Sequence, residues 1–307
     1  MRIANPIYDV AFKYLMEDME VARRLLGRII GEEISEILVR PQEFSSPSAK
    51  YGITIYRLDF KARIKIKGKK EEYKTVLIEL QKAKNRDDLL RFRRYLGDNY
   101  RKEDEIKGAD GEMVKVALPI ITVYFLGFPM PPIKTSVVKV NRVYTDLITN
   151  RELKVRTEFI EKLTHDSFVI LIRELAPKER SELERVLKVF NQSFKLGSNE
   201  KLLEISDEEI KQDELLEMLA ERLRRGATDG DLLRKMEIEE EVEETLDRFY
   251  RAKEEMKEKY FEMKEKLVQS EDTAKMLKDD LADRDARLRE QERLIEELKK
   301  QSKNKGK

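Results

Sequence analysis

The chain contains no cysteine and no tryptophan, and a single histidine, His165, among its 307 residues. Without cysteine there are no disulfides, no zinc ribbon and no thiol nucleophile. Such a composition suits a reducing compartment, and the expected location is the cytoplasm. One histidine leaves no two-histidine metal centre and no histidine-bearing nuclease motif within a chain. His165 itself, in Leu163-Thr-His-Asp166, reads as a structural or exposed residue. Long apolar runs are also missing. The longest, Val116 to Phe128, has 13 residues, short of the roughly 20 needed to span a bilayer, and the N-terminus has no apolar signal core. No membrane partner is expected. Net charge is only +1, so any nucleic-acid partner must be held by a local basic patch. No phosphate-binding loop of the G-x-x-x-x-G-K-[ST] type occurs.

What is abundant is charge of both signs. Charged residues make up 41 % of the chain and apolar ones 40 %, where a globular domain carries about 25 % charged. Much of the excess falls in the C-terminal stretch, where apolar residues recur at alternating three- and four-residue steps. As heptads, Tyr260, Leu267, Ala274, Leu281, Leu288 and Ile295 take a, and Met263, Ser270, Leu277, Arg284, Gln291 and Leu298 take d. This pattern predicts a coiled coil over 246–300 and a homo-oligomer built through it. Lys253 at a, with Ser270, Arg284 and Gln291 at d, are the positions able to set register or strand number. The final 301–307 reads as a disordered tail.

The rest reads as α/β. A helix is predicted over 7–31, stopped by Gly31, followed by a looser stretch punctuated by Pro41 and Pro47. Ile53–Ile66 and Tyr73–Gln81 alternate as strands. Leu58, Phe60, Ala62, Ile64 and Ile66 share one face with Val76, Ile78 and Leu80. Asp59, Lys61 and Arg63 share the other with Thr75, Leu77, Glu79 and Gln81. Keeping apolar sides together favours a hairpin register in which paired numbers total 138. That register sets Asp59 opposite Glu79, with Cβ atoms ~5 Å apart. A shift of two would keep the faces and offset the pair. An arginine-rich helix, capped by Asn85, follows over 85–101. The run 102–111 reads as a loop, Val114–Gly127 as a buried strand, Val137–Asp146 as another strand, and 152–225 as helical with breaks near Pro177 and Gly197.

Two carboxylates on adjacent strands are one way to hold a magnesium or manganese ion with open positions for water and phosphate. The same pair is also what a solvated, charge-paired hairpin displays, with Arg57, Lys61, Arg63 and Lys65 as partners. Gln81 lies on the Glu79 face and can orient water or phosphate. Lys82 falls on the opposite face. Arg86, Arg91, Arg93 and Arg94 are candidates for backbone phosphate contacts, against the ordinary reading of a solvated helix face.

The order of Asp9-Val-Ala-Phe12-Lys13, the Leu58-Asp59 strand, the Ile78-Glu-Leu-Gln81 strand, the helix through Arg91, Arg94 and Tyr95, and the strand Leu118–Gly127 resembles the PD-(D/E)XK nuclease family transposases, or recombination-promoting nucleases. The resemblance covers roughly residues 5 to 240. It implies a restriction-endonuclease-like core with a mixed β-sheet flanked by helices, here 1–150, then a helical region over 151–245 before the coiled coil. It implies divalent-metal-dependent DNA cleavage linked to recombination or mobile elements. Asp59 and Glu79 match the metal-binding acids, and Gln81 falls where the wider pattern has lysine, with Lys61 as a substitute. Asp9 belongs to the motif, either near the metal or, as favoured here, paired with Lys13 to stabilise the first helix. The alternative is a catalytically inactive nuclease fold acting as a coiled-coil interaction protein.

Overall fold

The computed structural model describes the chain outside residues 49–52, 68–71, 83–87, 108–109, 177, 198 and 305–307. At 39–48, 53–60, 88, 91, 107, 250 and 297–304 it describes the backbone alone. In chain order the elements begin with β1 (Arg2–Ala4), α1 (Asp9–Met16), α2 (Met19–Ile30), β2 (Ile34–Ser48), β3 (Ile53–Ile66), β4 (Tyr73–Gln81) and α3 (Asp88–Arg101). There follow β5 (Asp104–Lys107), β6 (Met113–Val116), β7 (Ile120–Leu126), β8 (Val137–Val140), β9 (Tyr144–Asp146), β10 (Arg151–Leu153), α4 (Glu158–Leu163) and β11 (Asp166–Leu171). The last are α5 (Glu182–Val186), β12 (Lys195–Leu196), β13 (Asn199–Glu204), α6 (Asp207–Ile210), α7 (Glu214–Ala227) and α8 (Gly230–Asn304). Met1–Glu240 forms one compact unit and Glu241–Lys307 a second.

The helix predicted over 7–31 is two helices. Apolar spacing continues through the junction, but Asp18 leaves helical geometry (φ −79°, ψ 106°) and accepts hydrogen bonds from the Glu20 and Val21 N–H groups. It is therefore an N-cap in mid-pattern, and a cap outweighs periodicity because it satisfies donors a continuing helix would leave to its own carbonyls. The stop at Gly31 holds, with φ +76° and its N–H bonded to the Gly27 carbonyl.

The central sheet has strand order β2-β3-β4-β7-β11-β8. The stretch after Gly31, expected to be loose, is its edge strand. Pro41 and Pro47 are tolerated because an edge strand has one side without ladder bonds. The β3–β4 pairs run from Phe60↔Ile78 to Lys65↔Tyr73, the register with totals of 138. Strand β4 then pairs in parallel with β7, and β7 in parallel with β11. One face carries Ala62, Ile64, Val76, Ile78, Val123 and Phe125 into the main core against α1, α2 and α7. The other face carries Leu77 and Ile120 against Phe92 and Tyr95 of α3. The sheet is thus mixed and has helices on both sides.

The 152–225 segment is not helical throughout. Its apolar run Phe168–Ile172 supplies β11, paired on both edges with β7 and β8, and β13 pairs with β1 at the N-terminus. Short apolar runs do not distinguish a buried strand from a buried helix turn. Likewise 102–111 contributes β5, in a hairpin with β6. The single strand predicted over 114–127 is split into β6 and β7, and that over 137–146 into β8 and β9. The predicted Asn85 cap lies outside the described residues. Among the described residues no helix is long and apolar enough to cross a membrane.

Asp18→Ala removes both cap hydrogen bonds and is expected to cost about 1 kcal/mol of stability. Urea unfolding checks it; an unchanged midpoint would mean that α2 does not depend on the cap.

Candidate functional site

The face of the sheet beneath α3 carries the polar positions singled out in the sequence. Alternation along β4 points Thr75, Leu77, Glu79 and Gln81 to that side. The strand lies between β3 and β7 in the sheet, and α3 covers this face. Glu79 is accordingly 2 % exposed. Its neighbour across the parallel ladder is Tyr124. Phe92 of α3 stacks edge-on against the Tyr124 ring, with centroids 4.6 Å apart, and Tyr95, also on α3, is buried beside it. Burying two such rings contributes a few kcal/mol, at roughly 1.5–3 kcal/mol each, enough to keep α3 seated over the carboxylate. Burial pushes the Tyr124 phenol well above its ordinary range. A Thr122 hydrogen bond opposes that shift and the Glu79 charge adds to it. The phenol is therefore neutral at ordinary pH.

On β3, Lys61 lies opposite Leu77 and Arg63 opposite Thr75, on the same face as Glu79. The Lys61 ammonium meets the Asp104 carboxylate at 2.7 Å, with the two side chains 12 % and 18 % exposed. Thr75 donates to the other Asp104 oxygen at 3.0 Å. Arg63 donates to the Glu105 carbonyl. Strand β5, unforeseen from the sequence, thus folds its acidic side chain back onto this face and holds Lys61. A groove of about 590 Å³ runs beside this contact, with Lys61, Arg63, Lys102 and Lys115 among its lining residues. Asp104 and Tyr124 were not singled out in the sequence, and Thr75 was placed on the Glu79 face without a role. Asp104 sits in a charge run that reads as a loop, and nothing local marks it.

The backbone of Asp59 lies in β3, paired with Gln42 of β2. It stands one position beyond Phe60↔Ile78, the last β3–β4 pair. Its side chain lies outside the described residues, as do that of Arg91 and the whole of Arg86. Arg93 and Arg94 are exposed on α3. Gln81 ends β4 and is half-buried. Its carbonyl accepts the Gly127 N–H at 2.8 Å, a close approach in which a Cβ on Gly127 would strike the Lys82 carbonyl. Lys82 turns to the other side of the sheet, 3.8 Å from the Tyr8 ring. Asp9 opens α1, which packs through Ala11, Phe12 and Leu15 into the main core, the face opposite Glu79. The N–H groups of Asp9 and Val10 donate to the Glu239 carboxylate at 2.8 and 3.2 Å. Among the described residues no group of three or more histidine, aspartate or glutamate side chains is disposed to hold a metal ion.

Farther along the same face, the Tyr100 hydroxyl meets His165 Nδ1 at 2.8 Å. Burial lowers the His165 pKa, and the Arg142 guanidinium lowers it further, against the opposing charge of Asp166. Arg142 is itself fixed by Asp166 at 2.9 Å and Glu161 at 2.8 Å. No family model matches the chain, and no curated protein and no solved structure matches it.

Because the chain has one histidine, its ring resonances are unambiguous in a proton NMR titration. His165 is expected to titrate below the ordinary 6.5. A depressed histidine pKa means that the fold prefers the neutral ring. Its contribution to stability is then present above 6.5 and lost as pH falls through the folded-state value. A midpoint at or above 6.5 would contradict the burial argument.

Proposed function

We propose that the chain is a divalent-metal-dependent DNA endonuclease of the PD-(D/E)XK type, with a restriction-endonuclease-like core and a link to recombination or mobile elements. The observation that carries this reading is Glu79: a carboxylate 2 % exposed on a strand whose register with β3 runs toward Asp59. The Glu79 oxygens are hard ligands of the kind a divalent cation takes, held on a rigid interior strand. The order of an antiparallel β2-β3-β4 meander, helix α3 and parallel strand β7 also supports it.

The donor types suit the ion. Asp59 and Glu79 offer carboxylate oxygens and Gln81 an amide oxygen, all hard ligands appropriate to magnesium or manganese. When bound, the ion would activate water and stabilise developing charge on phosphate. The protein groups have separate tasks in this scheme. Glu79 and Asp59 hold the ion. Gln81 orients water or a phosphate oxygen through its amide, without charge. Arg93 and Arg94, with Arg86 and Arg91, contact backbone phosphates. Asp9 supports α1, and Lys61 organises Asp104. A homo-oligomer forms through the C-terminal helix.

A second reading, a catalytically inactive nuclease fold serving as a coiled-coil interaction protein, is favoured by one specific observation. Gln81 stands where a lysine is expected, and the alternative lysine, Lys61, is engaged with Asp104 at 2.7 Å.

Supercoiled plasmid incubated with the protein and magnesium, or manganese, separates the two. The parent is expected to nick or linearise it, and Asp59→Ala and Glu79→Ala to reduce the rate by roughly 100-fold or more. Cleavage that survives either substitution removes the site assignment. A parent inert on several DNA substrates with both metals favours the scaffold.

A further inference from the structure

The unit Glu241–Lys307 is helical through Asn304. Its heptad seam is open, with Met256, Met263, Leu267, Leu277, Leu281 and Leu288 between 56 and 71 % exposed. From residue 246 to 295 the seam runs about 75 Å at 1.5 Å per residue. The helix is unbroken, so its two halves cannot fold back on each other. The cover must come from elsewhere, and the seam's own layers specify what fits.

We infer that the partner is a second copy of this helix, running antiparallel, with the two-fold axis at residue 272. In an antiparallel coiled coil, a residues face d residues of the partner. About this centre every apolar layer meets an apolar one: Met256 faces Leu288, Met263 faces Leu281, and Leu267 faces Leu277. Each misfit finds a suitable neighbour. Lys253 faces Gln291, a polar pair. Ser270 faces Ala274, small against small. Arg284 faces Tyr260, a guanidinium against an aromatic ring, and it already reaches Asp280 on its own helix at 3.1 Å.

The competing arrangements fail at the same residues. In a parallel dimer a faces a and d faces d, so Lys253 meets Lys253 and Arg284 meets Arg284 within the seam. Like charges at close range in a desolvated layer are costly. Shifting the antiparallel register by one heptad sets Arg284 against Lys253 in one direction and against Leu267 in the other. The flanking charges do not decide the matter. In the antiparallel register Lys257 attracts Asp285 and Lys266 attracts Asp280, while Lys259 repels Arg287, Lys264 repels Lys278 and Glu271 repels its own copy. The parallel arrangement is balanced in the same way, and exposed pairs contribute at most about 1 kcal/mol each. The core layers therefore choose the orientation. This assignment stands whether or not the compact unit cleaves DNA.

The absence of cysteine makes a clean test available on the full chain. Glu258→Cys and Ala286→Cys each introduce one exposed labelling site, 14 residues either side of the centre. Spin labels on these cysteines report distances between copies by pulsed dipolar spectroscopy. The two positions lie 28 residues apart, about 42 Å along a helix. Protein labelled at one position only should give a same-site distance of about 42 Å or slightly more. A mixture of the two labelled proteins should add a short distance of about 20 Å, the width of two helices. The reverse pattern, short for same-site pairs and long for mixed pairs, would establish a parallel dimer and overturn the proposal. So would the absence of any distance between copies at tens of micromolar protein.

Discussion

A strand hydrogen-bonded along both edges and covered on both faces has no direction in which a side chain reaches bulk water. Strand β4 is such a strand. Strand β3 occupies one edge and β7 the other. The main core lies against one face and α3 against the other. The middle of β4, from Thr75 to Leu80, is buried, and Glu79 lies within it. The rest of the candidate site follows from that burial: the neutral phenol of Tyr124 alongside and the aromatic rings of α3 above.

The polar layer beneath α3 extends well beyond one carboxylate. Asp104 reaches over from the β5–β6 hairpin to take both Lys61 and Thr75. At the far end Tyr100 meets His165 while Arg142 binds Asp166 and Glu161. The opposite face is almost wholly apolar, with Phe12, Phe125 and Phe190 in mutual contact. The asymmetry divides the labour. One side of the sheet supplies the hydrophobic burial that holds the unit together, and the other can accommodate charge because that burial has already been secured.

The C-terminal helix follows a different rule. It has no tertiary core of its own among the described residues, and its large apolar side chains from Met256 to Ile295 are exposed. Local charge pairs such as Arg287 with Asp283 support the helix only weakly. What distinguishes it from a merely solvated helix is the regularity of its seam and the placement of four polar residues within it.

The sequence by itself determined what depends on short-range periodicity. Alternation assigned the faces of β3 and β4. The requirement that apolar sides coincide restricted their register to even totals, because a slip of one residue would invert every side chain, and the structure settled the total at 138. Heptad spacing marked the C-terminal helix, and Gly31, a residue type that tolerates left-handed backbone, marked a helix end. Only the tertiary structure decided which elements came to lie against those faces. Strand β11, drawn from a segment that reads as helical, joins the sheet because β7 and β8 leave a gap that its apolar run fills. Asp104 binds Lys61 because a hairpin folds the intervening chain back over the sheet, a contact 43 residues distant that no local pattern encodes. Asp18 divides a helix whose apolar spacing runs straight through it. Periodicity records which side of an element faces inward. The identity of its neighbour is settled by contacts between residues far apart in the chain.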